Sequence, residues 1–177
     1  MLTFLMATLL FVGDPSSGPK VGEKLGDAKV KGIFEPIEGK EFNLLDRAKK
    51  EPTIIVFVQR KDQKDITRPT FRLLKDIDKA VGEEEKLNAI FVWVTDDVGK
   101  TEEFLNRAKG SLKFQMPVAI SLDGNTGPNG YGLNDQVDVT ILLAKDAKVT
   151  ANFAFVGPNE TSAPKVIAAI RDLAGKK

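Results

Sequence analysis

The sequence contains neither cysteine nor histidine, and each absence excludes a class of chemistry. Without cysteine there is no disulfide, no thiolate nucleophile and no thiolate-bound zinc or iron–sulfur centre. Without histidine the chain lacks the commonest general base near neutral pH and the commonest transition-metal ligand. A metal could still bind to carboxylate and carbonyl oxygens, which favours calcium or magnesium. The sequence itself indicates no cofactor and no metal site.

The charge of the chain is almost balanced, with 26 Lys and Arg residues against 25 Asp and Glu residues. This balance gives no electrostatic reason to expect nucleic acid or an anionic membrane as a partner. A length of 177 residues and a hydrophobic fraction of 42% are typical of one globular domain with a buried core.

The N-terminal residues 1–13 form an apolar run that is too short for an ordinary membrane-spanning helix. The run is typical of the core of a signal peptide, although it lacks the usual basic start. We therefore predict an exported protein, periplasmic or secreted, with 1–18 as the leader and small residues at Ser16 and Gly18 for cleavage. A buried N-terminal strand and a lipid-side anchor are the alternatives. Residues 19–27 are predicted as a linker and 28–177 as the domain, with no integral span in the mature chain.

Strand and helix patterns alternate along the rest of the sequence. Period-two or continuous apolar runs predict strands, and apolar residues at three- and four-residue steps predict helices. The predicted strands are 28–34 (as an edge strand), 53–58, 89–94 and 117–122, with a hairpin of 139–144 and 149–155. The predicted helices are 71–81, 101–112 and a C-terminal one with Ser162 as N-cap, Pro164 in the first turn and Gly175 as C-cap, besides a short helix within 35–50. This order predicts an α/β fold with a mixed sheet.

The layout resembles the thioredoxin-like superfamily, in particular its redoxin branch of peroxiredoxins and alkyl hydroperoxide reductases. The start Val21-Gly22-Glu23-Lys24-Leu25 is similar to the opening of that branch. The strand 53–58 followed by a loop and a helix containing Pro69 is similar to the family's active-site strand and kinked helix. The hairpin from Asp138 to Val149 resembles the family's hairpin. The resemblance covers about residues 21–173 and implies a three-layer sandwich, with a central mixed β-sheet flanked by helices.

The chain departs from this family where the family does its chemistry. Active members carry one or two cysteines between the first core strand and the kinked helix, and here that interval is 59–65, without a thiol. Counting from the strand places Asp62 and Asp65 at the two cysteine positions, whereas counting back from Pro69 places Lys61 and Lys64 there. The family's cis-proline, which lies against the thiols and helps to bind the substrate backbone, falls at Val139, where we expect a trans peptide.

These departures predict a non-catalytic domain that binds a protein or peptide, through the former active-site face or an exposed sheet edge. The candidate face consists of Arg60, Lys61, Asp62, Lys64, Asp65 and Val139. A carboxylate- or metal-dependent enzyme, a structural subunit and a redox-associated protein known only by similarity are the alternatives. Acidic residues at 62 and 65 would also stabilise a helix start without any ligand.

Three further features have simple structural interpretations. The Gly-rich loop 123–132 lacks the complete calcium or phosphate-loop pattern, which favours a structural loop. Trp93 lies inside an apolar strand and is predicted in the core. Tyr131, the only tyrosine, lies in the Gly-rich loop and is expected at the surface.

Overall fold

The computed structural model describes residues 15–59, 66–84, 86–159 and 161–175. The predicted leader up to residue 14 and five of the six candidate face residues (Arg60, Lys61, Asp62, Lys64 and Asp65) lie outside these ranges. No helix within the described ranges is both long enough and apolar enough to span a bilayer.

The chain forms seven strands and four helices across these ranges. The strands are β1 (Lys29–Gly32), β2 (Glu41–Asn43), β3 (Thr53–Gln59), β4 (Asn88–Val94), β5 (Val118–Ser121), β6 (Val139–Lys145) and β7 (Lys148–Phe155). The helices are α1 (Leu44–Ala48), α2 (Arg68–Gly82), α3 (Val98–Leu112) and α4 (Ser162–Leu173).

The strands form one mixed sheet in the order β2-β1-β5-β4-β3-β6-β7. The central strand β3 is parallel to β4 and antiparallel to β6, and β4 is parallel to β5. The predicted mixed sheet is confirmed, and its parallel pairs are joined by the helical crossovers that such pairs need. The hairpin β6–β7 turns at Asp146 and Ala147, which both have positive φ.

Two core clusters lie on opposite faces of the sheet because side chains alternate along each strand. On one face Val56, Phe91 and Ile141 pack with the apolar sides of α2, α3 and α4. On the other face Phe57 and Val92 pack with α1, with the Gly-rich loop and with Leu25 near the N-terminus. All seven residues of β3 are buried, which confirms the prediction of a strand covered on both faces.

Three predictions about element position are wrong. β1 is an inner strand, because β2 (Glu41–Asn43) pairs with its outer side; three residues are too few to show a strand period in the sequence. The C-cap of α4 is Ala174, one residue before the predicted Gly175. The N-cap of α4 is Thr161, and Ser162 is the first helical residue. The Ser162 hydroxyl instead accepts a hydrogen bond from the backbone N–H of Asn159, at 3.1 Å.

The segment 15–25 packs on the domain. Gly22 donates to the carbonyl of Val149 at 2.9 Å, and Val149 donates to the carbonyl of Glu23 at 2.9 Å. Leu25 is buried in the second core cluster. The stretch that the sequence indicated as a linker therefore covers the first half of the edge strand β7.

Candidate functional site

Val139 is the member of the candidate face that the structure describes, and it is the first residue of β6. Its side chain is fully buried in the main core cluster, so it contributes no exposed surface to the predicted face. It pairs with Val58 of β3 and with Phe155 of β7. The peptide before Val139 is trans, as the sequence predicted.

The main chain of Asp138, just before Val139, is already engaged within the domain. Its N–H donates to the carbonyl of Phe155 at 2.8 Å, and its carbonyl accepts from the N–H of Gln59 at 2.9 Å. Its carboxylate oxygen Oδ2 accepts from the N–H of Gly157 at 2.8 Å. The backbone of Asp138, beside the position where the resemblance places the family's cis-proline, is thus hydrogen-bonded to β3 and β7, and its N–H and carbonyl already have partners within the domain.

Gln59, at the end of β3, belongs to a closed ring of hydrogen bonds. The N–H of Asn134 donates to Oγ of Ser17 at 3.0 Å, and the hydroxyls of Ser17 and Thr140 lie 2.6 Å apart. Thr140 donates to Oε1 of Gln59 at 2.9 Å, and Nε2 of Gln59 donates to the carbonyl of Asn134 at 2.7 Å.

The direction of each bond in this ring follows from proton count. The Thr140 hydroxyl has one proton, which it gives to Gln59, so Ser17 must donate to Thr140. Every polar atom of the ring that is buried therefore has a partner, which makes the ring a rigid polar cluster. It fixes the end of β3.

The start of α2 presents positive charge to solvent. Thr67 caps the helix, with its hydroxyl oxygen accepting from the N–H of Thr70 at 3.4 Å. Pro69 follows in the first turn, where its missing N–H costs nothing. The first turn contains no acidic residue, and Arg68 and Arg72 are both exposed. The helix dipole adds to this positive potential.

A groove of about 250 Å³ lies between the first turns of α2 and α4, and we call it the α2–α4 groove. It is lined by Arg68, Pro69, Arg72, Leu73, Asp76, Pro158, Asn159 and Ala163. Sequence reasoning missed this groove, because its two walls are about 90 positions apart in the chain. The available signals were Pro158 before the last helix and the arginine pair on α2.

The Gly-rich loop covers one face of the sheet, and the expectation of a surface position for Tyr131 is wrong. Tyr131 is 2% exposed, its ring meets Phe57 edge-on at a centroid distance of 5.6 Å, and its hydroxyl donates to the carbonyl of Gly26 at 3.1 Å. Burial raises the pKa of Tyr131, and the negative charge of Asp27 raises it further. The loop therefore contributes a buried aromatic residue, Tyr131, to the core, which the many glycines around it did not indicate in the sequence.

Acidic groups near this loop do not assemble into a metal-binding cluster. Asp123 and Asn129 line a shallow depression together with Asp27 and Lys29, and the lysine supplies a positive charge at the same place. Within the described ranges no group of three or more acidic side chains could hold a metal ion.

Trp93 is fully buried, which confirms its predicted place in the core. It packs against Phe91 and Phe114, with ring centroids 6.3 and 6.4 Å away. Its indole Nε1 is buried without a hydrogen-bond partner. Because it is the only tryptophan in the chain, its fluorescence reports on this core alone.

Comparison with solved structures identifies the fold. A protein described as a candidate thiol:disulfide interchange protein DsbE from Chlorobium tepidum is similar with a TM-score of 0.63 and 17% identity, over 88% of this chain and 99% of that one. A peroxiredoxin-like protein from Aquifex aeolicus matches with a TM-score of 0.58 and 17% identity, over 89% and 90%. A thiol peroxidase from Chromobacterium violaceum matches with a TM-score of 0.56 and 14% identity, over 88% of each chain.

The protein therefore has a thioredoxin-like α/β fold. Unlike the thiol-dependent proteins among these similar structures, its sequence has no cysteine. No family model matches the sequence, and no curated protein matches it. At these identities the likeness shows the fold alone.

Proposed function

We propose that the protein is an exported, non-catalytic binding module that recognises a protein or peptide at the end of the sheet where α2 and α4 begin. One observation carries the proposal. The backbone of Asp138, at the position where active relatives bind substrate, is closed into the sheet, while the neighbouring α2–α4 groove is open.

The non-catalytic part rests on chemistry. Thiol–disulfide exchange begins with attack by a thiolate, and peroxidases of this fold likewise use a thiolate, which this sequence does not contain. We expect the purified protein to leave insulin disulfides and hydrogen peroxide unchanged at the rate of buffer alone. Turnover of either substrate by the pure chain would contradict this part of the proposal.

The binding part rests on what the fold leaves exposed. The edge strand β2 has three residues, and such short edges offer little backbone for strand addition. The first half of the other edge, β7, is covered by the segment 15–25. Val156 follows β7 and is 59% exposed, close in sequence to Pro158 of the groove. The surface around the starts of α2 and α4 is thus a better place for a partner than either edge.

The export part rests on the apolar run 1–13. The buried position of Ser17 adds a condition, because cleavage after Gly18 would remove Ser17 from the hydrogen-bond ring. We expect a signal peptidase to cut before Ser17. N-terminal sequencing of the protein from its native source tests this: a mature chain that starts at or before Ser17 supports it, and an uncleaved intracellular chain contradicts export.

Affinity capture from native extract tests the binding face. The bait is the chain from Pro15 to Lys177, beside a variant with Arg68→Ala and Arg72→Ala, which line the groove. A matched variant with Lys79→Ala and Arg171→Ala removes two basic groups elsewhere on the same two helices. We expect a partner that the first variant loses and the matched variant keeps. A partner kept equally by all three would show that the groove is not used. Val139 is left unchanged, since its substitution would test core packing.

A further inference from the structure

We infer that the α2–α4 groove binds a peptide segment in which an acidic residue is followed by an apolar one. This inference rests on the proposed binding function and names its partner chemistry. The groove contributes three features that together select such a segment: an apolar floor, a basic end and an acidic end.

The floor of the groove is apolar. Leu73, Pro158 and Ala163 are buried residues that line it, and Pro69 forms an exposed lip. A dry protein cavity of about 150 Å³ is large enough for benzene. A groove of about 250 Å³ therefore has room for one aromatic or branched aliphatic side chain, and filling it would remove apolar surface from water.

One end of the groove is basic. Arg68, in the first turn of α2, is exposed, and Arg72, which makes a contact of its own, follows one turn later. The neighbouring lysines are already engaged. Nζ of Lys75 donates to the carbonyl of Lys113 at 2.8 Å, and Lys165 lies 5.0 Å from the ring centre of Phe155. A partner carboxylate would meet the Arg68 guanidinium together with the positive end of the helix dipole.

Asp76 makes the other end of the groove acidic, and the two ends together determine the direction in which a peptide would bind. Arg68, Arg72 and Asp76 are spaced four residues apart, so they form a row along one side of α2. With a rise of about 1.5 Å per residue, the row from 68 to 76 is about 12 Å long. An extended segment covers that length in about four residues at roughly 3.3 Å each. The expected pattern is Asp or Glu, an apolar residue about two positions on, and Lys, Arg or an amide about four positions on.

Selection from a phage library of random dodecapeptides against the immobilised full-length chain tests this inference. Enriched peptides are then measured by fluorescence anisotropy against the wild type, Arg68→Glu and Lys79→Glu. Both variants reverse one exposed charge of α2, but Lys79 lies in its last turn. Glutamate in the first turn also favours the helix dipole, so Arg68→Glu is expected to fold, and Trp93 fluorescence checks this.

We expect the enriched peptides to share the acidic–apolar pattern. Their Kd should rise about tenfold in Arg68→Glu, as for reversal of one charge pair, and stay within about twofold in Lys79→Glu. Ala163→Met, which places a flexible side chain in the groove, should also raise the Kd of these peptides, although it leaves the charge of the protein unchanged. Enriched peptides that bind all variants equally would overturn the inference that the α2–α4 groove is the binding site, but they would still support the proposed binding function. A library that yields no binding peptide would overturn both.

Discussion

The hydroxyl of Ser17 lies 2.6 Å from the hydroxyl of Thr140 on β6. The two residues are 123 positions apart, so the N-terminal segment is tied to a core strand. Asn152 strengthens the tie, since its Nδ2 donates to the carbonyls of Ser17 at 2.9 Å and Pro19 at 2.7 Å. The folded domain therefore begins before residue 19.

Removing residues 15–18 is expected to destabilise the domain. A chain that starts at Pro19 loses the bonds of Ser17 and the N–H of Gly18, which donates to Gly132 at 3.2 Å. Each such bond contributes about 1 kcal/mol net, and ordering the segment offsets part of that sum. We expect a free energy of unfolding about 2 kcal/mol below that of a chain starting at Pro15, by urea titration with Trp93 fluorescence. Equal stability of the two chains would show that the segment is a linker.

Gly18 is expected to tolerate a methyl group less well than Gly22. Both glycines have positive φ, 81° and 93°, but a Cβ on Gly18 would lie 3.2 Å from Cγ2 of Thr140, whereas nothing lies within 4 Å of one on Gly22. Both alanine variants carry the cost of the left-handed backbone, about 1 kcal/mol or more. Because of overpacking, the free energy of unfolding of Gly18→Ala should be about 1 kcal/mol below that of Gly22→Ala. The same urea titration measures the difference, and identical midpoints would argue against this close approach.

Asp78 is expected to be a structural carboxylate. It is 2% exposed, and its Oδ1 accepts from the N–H groups of Gln115 at 2.9 Å and Met116 at 2.8 Å. Asp78→Ala leaves these donors without a partner and should lower the free energy of unfolding by about 3 kcal/mol. Asp172→Ala, an exposed change on α4, should stay within about 0.5 kcal/mol of the wild type. A small effect at Asp78, comparable to that at Asp172, would contradict this assignment.

The buried phenol of Tyr131 predicts a loss of stability at high pH. Its pKa is raised above the ordinary value of 10.0 in the folded state, so above pH 10 the folded protein binds more protons than the unfolded one. Stability contributed by this group is complete below pH 10 and falls as the pH rises beyond it. Tyrosinate absorbance at 295 nm should appear near pH 10 in urea and only at higher pH in the native protein.

Tyr131→Phe provides the control for that titration. The variant should show a smaller decline in stability above pH 10 than the wild type, because it lacks the phenol whose pKa is raised in the folded state. A native tyrosine that ionises near pH 10, or an unchanged decline in the variant, would show that the phenol is exposed.

The sequence was informative where a pattern is long and local. β3, β4 and the hairpin have continuous apolar runs, and α2 has a clear apolar stripe, so the mixed sheet could be predicted. The family resemblance supplied the thioredoxin-like topology. β2 was missed because three residues show no period, and Tyr131 was misplaced because the glycines around it suggest only a surface loop.

The candidate site was harder to predict, because it depends on pairs that are distant in the sequence. The ring joins Ser17, Gln59, Asn134 and Thr140, and no local pattern connects them. The closure at Asp138 likewise depends on Phe155 and Gln59, which reach it from two other strands. The missing cysteines led the sequence analysis to predict a binding face in this region, and the backbone closure at Asp138 is visible only in the structure.

Amide hydrogen exchange at Asp138, followed by NMR, tests most directly whether the backbone beside Val139 is closed, as the proposed function requires. Because the Asp138 N–H donates to Phe155 at 2.8 Å within the sheet, we expect protection close to that of the β6 amides, which open only with large-scale unfolding. The N–H of Gly157, bound to the Asp138 carboxylate, should be protected in the wild type and lose protection in Asp138→Ala. Exchange of the Asp138 amide at the rate of an exposed loop would show an open backbone there, and would contradict the account of a closed site with binding moved to the α2–α4 groove.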